Sequence, residues 1–253
     1  MRKIIFEVCA ETIDACIAAE GGGAARVELC SALSEGGLTP SHGFTREAIS
    51  SCRLPIHAMV RPREGGFVYT TAEIDIMCED ILHLKSLGVA GIVLGALNVD
   101  ASIDVTSTRR FVELALPLPV TFHRAFDHAP LLSVALEDVI ATGCDRILTS
   151  GGENDVVAGM AGLAALVAQA AGRIEIAVGG GLRLADAARL ASFIGARHFH
   201  ASMRQANDIQ GGSAWGPGDD GKNQRTDHHL YSVSAEAVKT MIDELQKGVR
   251  NSL

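Results

Sequence analysis

The chain has 253 residues, a formal net charge of −8, 47% hydrophobic and 21% charged residues. That is too much aliphatic surface for a disordered chain and a suitable length for one large domain. With 22 Lys and Arg and no apolar run of ~18 residues, it is expected neither to bind nucleic acid nor to span a membrane.

Short runs rich in Val, Ile and Phe recur along the chain and predict eight strands: Ile4–Ala10, Ala25–Cys30, Pro55–Arg61, Gly91–Leu97, Pro119–Phe126, Arg146–Ser150, Glu175–Val178 and Arg197–Met203. Helical patterns alternate with them at Glu11–Gly21, Ser41–Cys52, Thr71–Leu87, Asp104–Leu116, Pro130–Thr142, Asp155–Ala171, Leu184–Ile194 and Ser234–Gly248. Gly88, Gly143, Gly172 and Gly195 follow four of these helices, where a left-handed cap favours glycine. Eight strands alternating with helices predict an α/β fold, a single-domain (β/α)8 TIM barrel spanning residues 1–253. A doubly wound sheet would also alternate, but no G-x-G-x-x-G follows the first strand. The polar, glycine-rich segment Gln205–His229 interrupts the rhythm before the last helix and is expected at the barrel mouth.

Alternation along each strand sorts its residues into two faces. The inward sets contain Glu7 and Cys9, Arg26, Glu28 and Cys30, His57, Met59 and Arg61, Thr121 and His123, Glu175, and His198 and His200. Such an interior is more polar than the branched aliphatics that commonly fill a barrel. Buried carboxylates need partners, so Glu7 and Glu28 are expected to meet Arg61, Arg26 or a histidine. The same set admits chemistry: Glu7, Glu28, Arg61, His123 and Arg124 are candidates for acid–base catalysis on a small polar substrate. Thr149-Ser-Gly-Gly152 and Gly179-Gly-Gly181 end the sixth and seventh strands. There Ser150, Gly151, Gly152, Gly180 and Gly181 are candidates for binding a phosphate or carboxylate, assisted by Arg124 or Arg204.

Cys9 and Cys30 end neighbouring strands, whose axes lie ~4.8 Å apart. Two thiols there suit a soft ion such as Cu(I), with Arg61 expected to favour a thiolate, and they equally suit two small buried hydrophobes. Level strand ends would bring their Cα atoms within ~4.4–6.8 Å. The other cysteines, Cys16, Cys52, Cys78 and Cys144, read as structural. No C-x-x-C pair occurs, and Glu7 comes too early for a signal-peptide core, so reduced thiols and a cytoplasmic location are expected.

The blocks Phe6-Glu-Val-Cys9, Val27-Glu-Leu-Cys-Ser-Ala-Leu33, Gly36-Gly-Leu-Thr-Pro40, Val60-Arg-Pro-Arg63, Thr121-Phe-His-Arg-Ala-Phe-Asp127, Leu148-Thr-Ser-Gly-Gly152 and Gly179-Gly-Gly181 together resemble the CutC copper homeostasis family. The resemblance implies a cytoplasmic TIM barrel, a homodimer or larger homo-oligomer, with Cu(I) as ligand and Cys9 and Cys30 as its candidate ligands. The chain departs from the family pattern at Arg61-Pro-Arg-Glu-Gly-Gly-Phe67, where the acidic residue stands fourth rather than sixth. Two functions are therefore expected: a copper-binding homeostasis protein or, alternatively, a barrel enzyme acting on a small anionic or phosphorylated metabolite.

Overall fold

The computed structural model describes residues 2–207 and 230–250. Eight parallel strands close into a barrel in sequence order: β1 Ile5–Ala10, β2 Arg26–Leu29, β3 Ile56–Met59, β4 Gly91–Leu94, β5 Val120–Phe122, β6 Arg146–Thr149, β7 Glu175–Gly179 and β8 His198–Ala201, with β8 paired back to β1. Helices α1 Ile13–Gly21, α2 His42–Ser51, α3 Thr71–Leu87, α4 Val105–Ala115, α5 Leu132–Thr142, α6 Met160–Ala170 and α7 Leu184–Ile194 lie between successive strands, and α8 Ala235–Arg250 closes the chain. The fold is a (β/α)8 TIM barrel.

Local chemistry sets most boundaries. Thr70 and Glu73 form a reciprocal capping box at the start of α3, and Gly88 ends it at φ 91° in the left-handed region. The sixth helix starts at Met160, later than the sequence pattern suggests. Asp155 Oδ1 accepts from the amides of Val157 and Ala158, both at 2.9 Å, and holds that stretch as a turn. The polar segment expected over 205–229 begins with a strand, β9 Gln205–Asn207, paired antiparallel with β10 Leu230–Ser232. Residues 208–229 lie outside the described residues.

The outward faces of the strands carry the hydrophobic core. Phe6, Val8, Val27 and Phe199 pack with α1, α7 and α8, while Ile92, Val120, Phe122 and Ile147 pack with α3, α4 and α5. Each such side chain contributes roughly 1.5–3 kcal/mol on burial. The inward faces match the sets expected from alternation. The strand register pairs Glu7 with Arg26, Glu28 with His57, Thr121 with Arg146 and Ala177 with His198. β4 makes room for this polar filling. A Cβ on Gly91 would lie 2.5 Å from the His57 ring, and one on the nearby Gly95 2.6 Å from the His123 ring.

Candidate metal centre and barrel mouth

Glu7 anchors the floor of the site. Its Oε2 accepts from Arg26 Nε and from Arg146 Nη2, the latter at 2.8 Å, and its Oε1 accepts from His200 Nδ1 at 2.8 Å. Burial alone would raise this carboxyl's pKa. The His200 hydrogen bond and the Arg26 charge outweigh it and hold the group well below the ordinary carboxylate range. Sequence reasoning did not anticipate Arg146. It is inward-facing on β6, and the parity argument applied to the other strands would have found it.

Above this floor stand the two thiols. Cys9 Sγ and Cys30 Sγ are 3.5 Å apart and buried. Their strands are not level, because Cys9 pairs in register with Glu28 and Cys30 lies further along β2. The diagonal reach still brings the sulfurs together. Met59, Val93 and Leu33 pack around them, and the backbone of Gly37 covers Cys30 so closely that a Cβ there would sit 3.3 Å from both Cys30 Cβ and Met59 Cε.

Cys9 Sγ also lies 3.4 Å from Glu28 Oε1. One ligand atom from each of Cys9, Glu28 and His200 falls within 4.8 Å of the others. Glu28 is therefore not an arginine-held twin of Glu7, as the spacing of the two glutamates suggests. Its Oε2 is buried without a hydrogen-bond partner among the described residues, and burial raises its pKa above the ordinary carboxylate value. His200 has its Nδ1 committed to Glu7, which leaves Nε2 as the nitrogen available to an ion. A metal-binding histidine commonly has its second nitrogen on a carboxylate in this way. Burial opposes charging the His200 ring, but Glu28 and Glu7 together raise its pKa above the ordinary imidazole value.

Arg61 does not stabilise a thiolate. Its guanidinium reaches past the end of β3 to the carbonyls of Glu35 at 2.6 Å, Gly37 at 3.1 Å and Gly65 at 2.7 Å, and rests on the Phe67 ring. The Cys30 hydrogen bond, burial and the adjacent Glu28 push the Cys9 thiol well above its ordinary pKa, which favours a thiol over a thiolate at that position.

A cavity of about 750 Å³ opens above these groups. Cys9, Glu28, Met59, Arg61, His123 and Arg124 line it, and Gly180, Gly181 and His200 complete the inner wall. Glu7 is not among its lining residues. The Thr149–Gly152 turn is already occupied by an internal anion. Asp127, at the end of a 3-10 turn over Arg124–His128, accepts from Ser150 N at 3.0 Å and Gly152 N at 3.0 Å. The Gly151 amide donates instead to Thr149 Oγ1 at 2.8 Å. Asp127 was not singled out from the sequence, although it closes the same block as His123 and Arg124. Gly180 and Gly181 remain as the glycines facing the cavity.

These features define a TIM-barrel protein whose mouth holds a sulfur, carboxylate and imidazole cluster beneath an arginine-lined cavity. The chain belongs to the CutC family, whose profile matches residues 4–205. It is 48% identical over 200 residues to a CutC family protein of Chromobacterium violaceum, covering 79% of this chain and 81% of that one. It is 47% identical over 204 residues to one of Parabacteroides distasonis, covering 80% and 84%. The crystal structure of CutC from Streptococcus agalactiae superposes with a TM-score of 0.75 at 34% identity, covering 79% of this chain and 98% of that one.

Proposed function

We propose that this protein is a cytoplasmic copper homeostasis protein that binds Cu(I) through Cys9 and Cys30. The observation that carries this reading is the pair of reduced thiols 3.5 Å apart beside a cavity. Cu(I) prefers thiolate and thioether donors, and Met59 adds a third sulfur to the same cluster. With metal–sulfur bonds of ~2.3 Å, as in zinc thiolates, sulfurs 3.5 Å apart subtend roughly 100° at an ion. The pair thus supplies one edge of a three- or four-donor site rather than a linear one. His200 is the softer of the two neighbouring candidates for a further donor, with Glu28 the harder.

Binding displaces thiol protons, so affinity rises with pH. The test is anaerobic Cu(I) titration of the reduced protein against a chromophoric chelator. Wild type should take one equivalent per chain. A Cys9→Ser, Cys30→Ser double variant should lose at least about 100-fold in affinity, and His200→Gln about 10-fold, the order seen when metal-site groups are removed. A double variant that competes as well as wild type overturns the reading.

A further inference from the structure

We propose that the cavity wall facing the thiols is an oxyanion site, built by His123, Arg124 and the Gly180–Leu182 turn, for the carboxylate or phosphate group of a small metabolite. β5 stands four strands and β7 two strands from β1 in the closed barrel, so this wall shares the cavity with the Cys9–Cys30 pair but none of its residues. The site is independent of whether those cysteines take copper.

The first observation is a buried donor with nothing to donate to. The Ala125 amide donates to His123 Nδ1 at 3.1 Å, so Nδ1 carries the lone pair and Nε2 carries the proton. His123 is 4% exposed and lines the cavity, and its Nε2 has no hydrogen-bond partner among the described residues. A buried N–H left without an acceptor is costly, and an entering oxyanion removes that cost.

The second observation is a held but incompletely used cation. Arg124 donates Nε to Asp127 at 2.8 Å and Nη2 to Ser150 Oγ at 2.9 Å, which fixes its plane and leaves Nη1 without a partner among the described residues. The Asp127 charge is shared with Thr149 Oγ1 and the amides of Ser150 and Gly152, so it neutralises Arg124 only in part. The guanidinium lies against Gly180, where a Cβ would meet Arg124 Cζ at 2.9 Å and where φ is +109°. Glycine is required there on both counts. Beyond it, the amides of Gly181 and Leu182 have no hydrogen-bond partner among the described residues.

The surrounding charge agrees. In a chain of net charge −8, the cavity is lined by Arg61, Arg124, Arg183 and Arg204 against Glu28 and Glu35, with Arg204 paired to Glu11 and Arg124 to Asp127. Arginines converging on a concave mouth draw anions toward it. Its volume of about 750 Å³ suits a metabolite rather than a bare ion.

The experiment is calorimetric titration of the reduced, metal-free full chain with inorganic phosphate and, separately, with succinate. It is paired with the ¹⁵N resonance of His123 Nε2. Saturable binding of phosphate alone assigns a phosphorylated ligand, and of succinate alone a carboxylate. Either should shift the Nε2 resonance and weaken about tenfold in Arg124→Gln, the scale of one charge-assisted hydrogen bond. Arg183→Gln, on the exposed rim, should weaken binding a few-fold while leaving the fold intact. The proposal is overturned if neither probe saturates. It is equally overturned if binding leaves Nε2 unmoved, or if it is unchanged in both arginine variants.

Discussion

Replacing Glu7 by glutamine tests how far the barrel floor depends on one charge. The shape is nearly kept, but three cationic or donating groups lose their shared anion: Arg26, Arg146 and His200 all point at this carboxylate. Arg146 is 4% exposed, and its Nε is already without a partner among the described residues. A glutamine amide would also present its own N–H groups to one of these donors. Breaking a buried pair from one side costs about 3–5 kcal/mol. For a domain of this length, each kcal/mol moves Tm by ~2–4 °C, so Glu7→Gln should lower Tm by about 6–20 °C. The assay is urea unfolding and thermal melting followed by circular dichroism, run also on Arg146→Met and on the double variant. The double variant should lose less than the sum of the two, because each single change strands the other's charge. A loss below about 1 kcal/mol for Glu7→Gln, the size of an exposed pair, would refute the claim that this buried carboxylate anchors the floor.

Gly95→Ala should destabilise by about 1–3 kcal/mol through collision with the His123 ring, and combining it with His123→Ala should recover part of the loss; full stability in the single variant would show that the ring moves aside freely. Burial, with smaller contributions from Arg61 at His123 and Arg26 at His57, pushes His57 down to about 4 and His123 down to about 3. Between pH 6.5 and 4 the unfolded chain therefore binds protons that the folded chain refuses, so stability falls as pH falls. From pH 7 to 5 the loss is about 2 kcal/mol per histidine, and urea titrations should show a shallower pH slope in His57→Gln. Asp127→Asn should abolish much of the exchange protection of the Ser150 and Gly152 amides in hydrogen-exchange NMR, and unchanged protection would mean that the turn holds itself.

The barrel was legible because its signals are local. Thr71–Leu87 and Leu184–Ile194 were bounded to the residue by helical periodicity and a terminal glycine, and seven of the eight strands fell within the apolar runs that predict them, β7 running one residue further to Gly179. The inward parity of Glu7, Cys9, Glu28, His57 and His200 was legible for the same reason, since alternation is a property of one strand at a time. Pairing across the barrel was not. Arg146 and Glu7 are 139 residues apart, and nothing in either strand announces the other. Long side chains defeated the reading in another way. Arg61 sits on the inward set, yet its stem carries the guanidinium up to loop carbonyls. Asp127 was passed over because an Asp after a strand resembles any turn residue until the amides it accepts from are known.

The roof over Cys30 makes the two thiols unequal. Cys9 borders the cavity, whereas Cys30 lies behind it under the backbone of Gly37, on a loop pinned by the reciprocal Ser31–Leu38 hydrogen bonds at 3.0 and 2.7 Å. The roof itself is backbone, so the rear thiol is reached from the cavity past Cys9 and Met59 or by opening the loop as a unit. Capture of the proposed ion by the pair would therefore start at the front sulfur. A competing ligand in the cavity can attack the front bond while the rear one still holds. Exchange of the proposed ion would then be an associative handover whose rate depends on the incoming ligand, and loop opening would set a slower route to the rear sulfur.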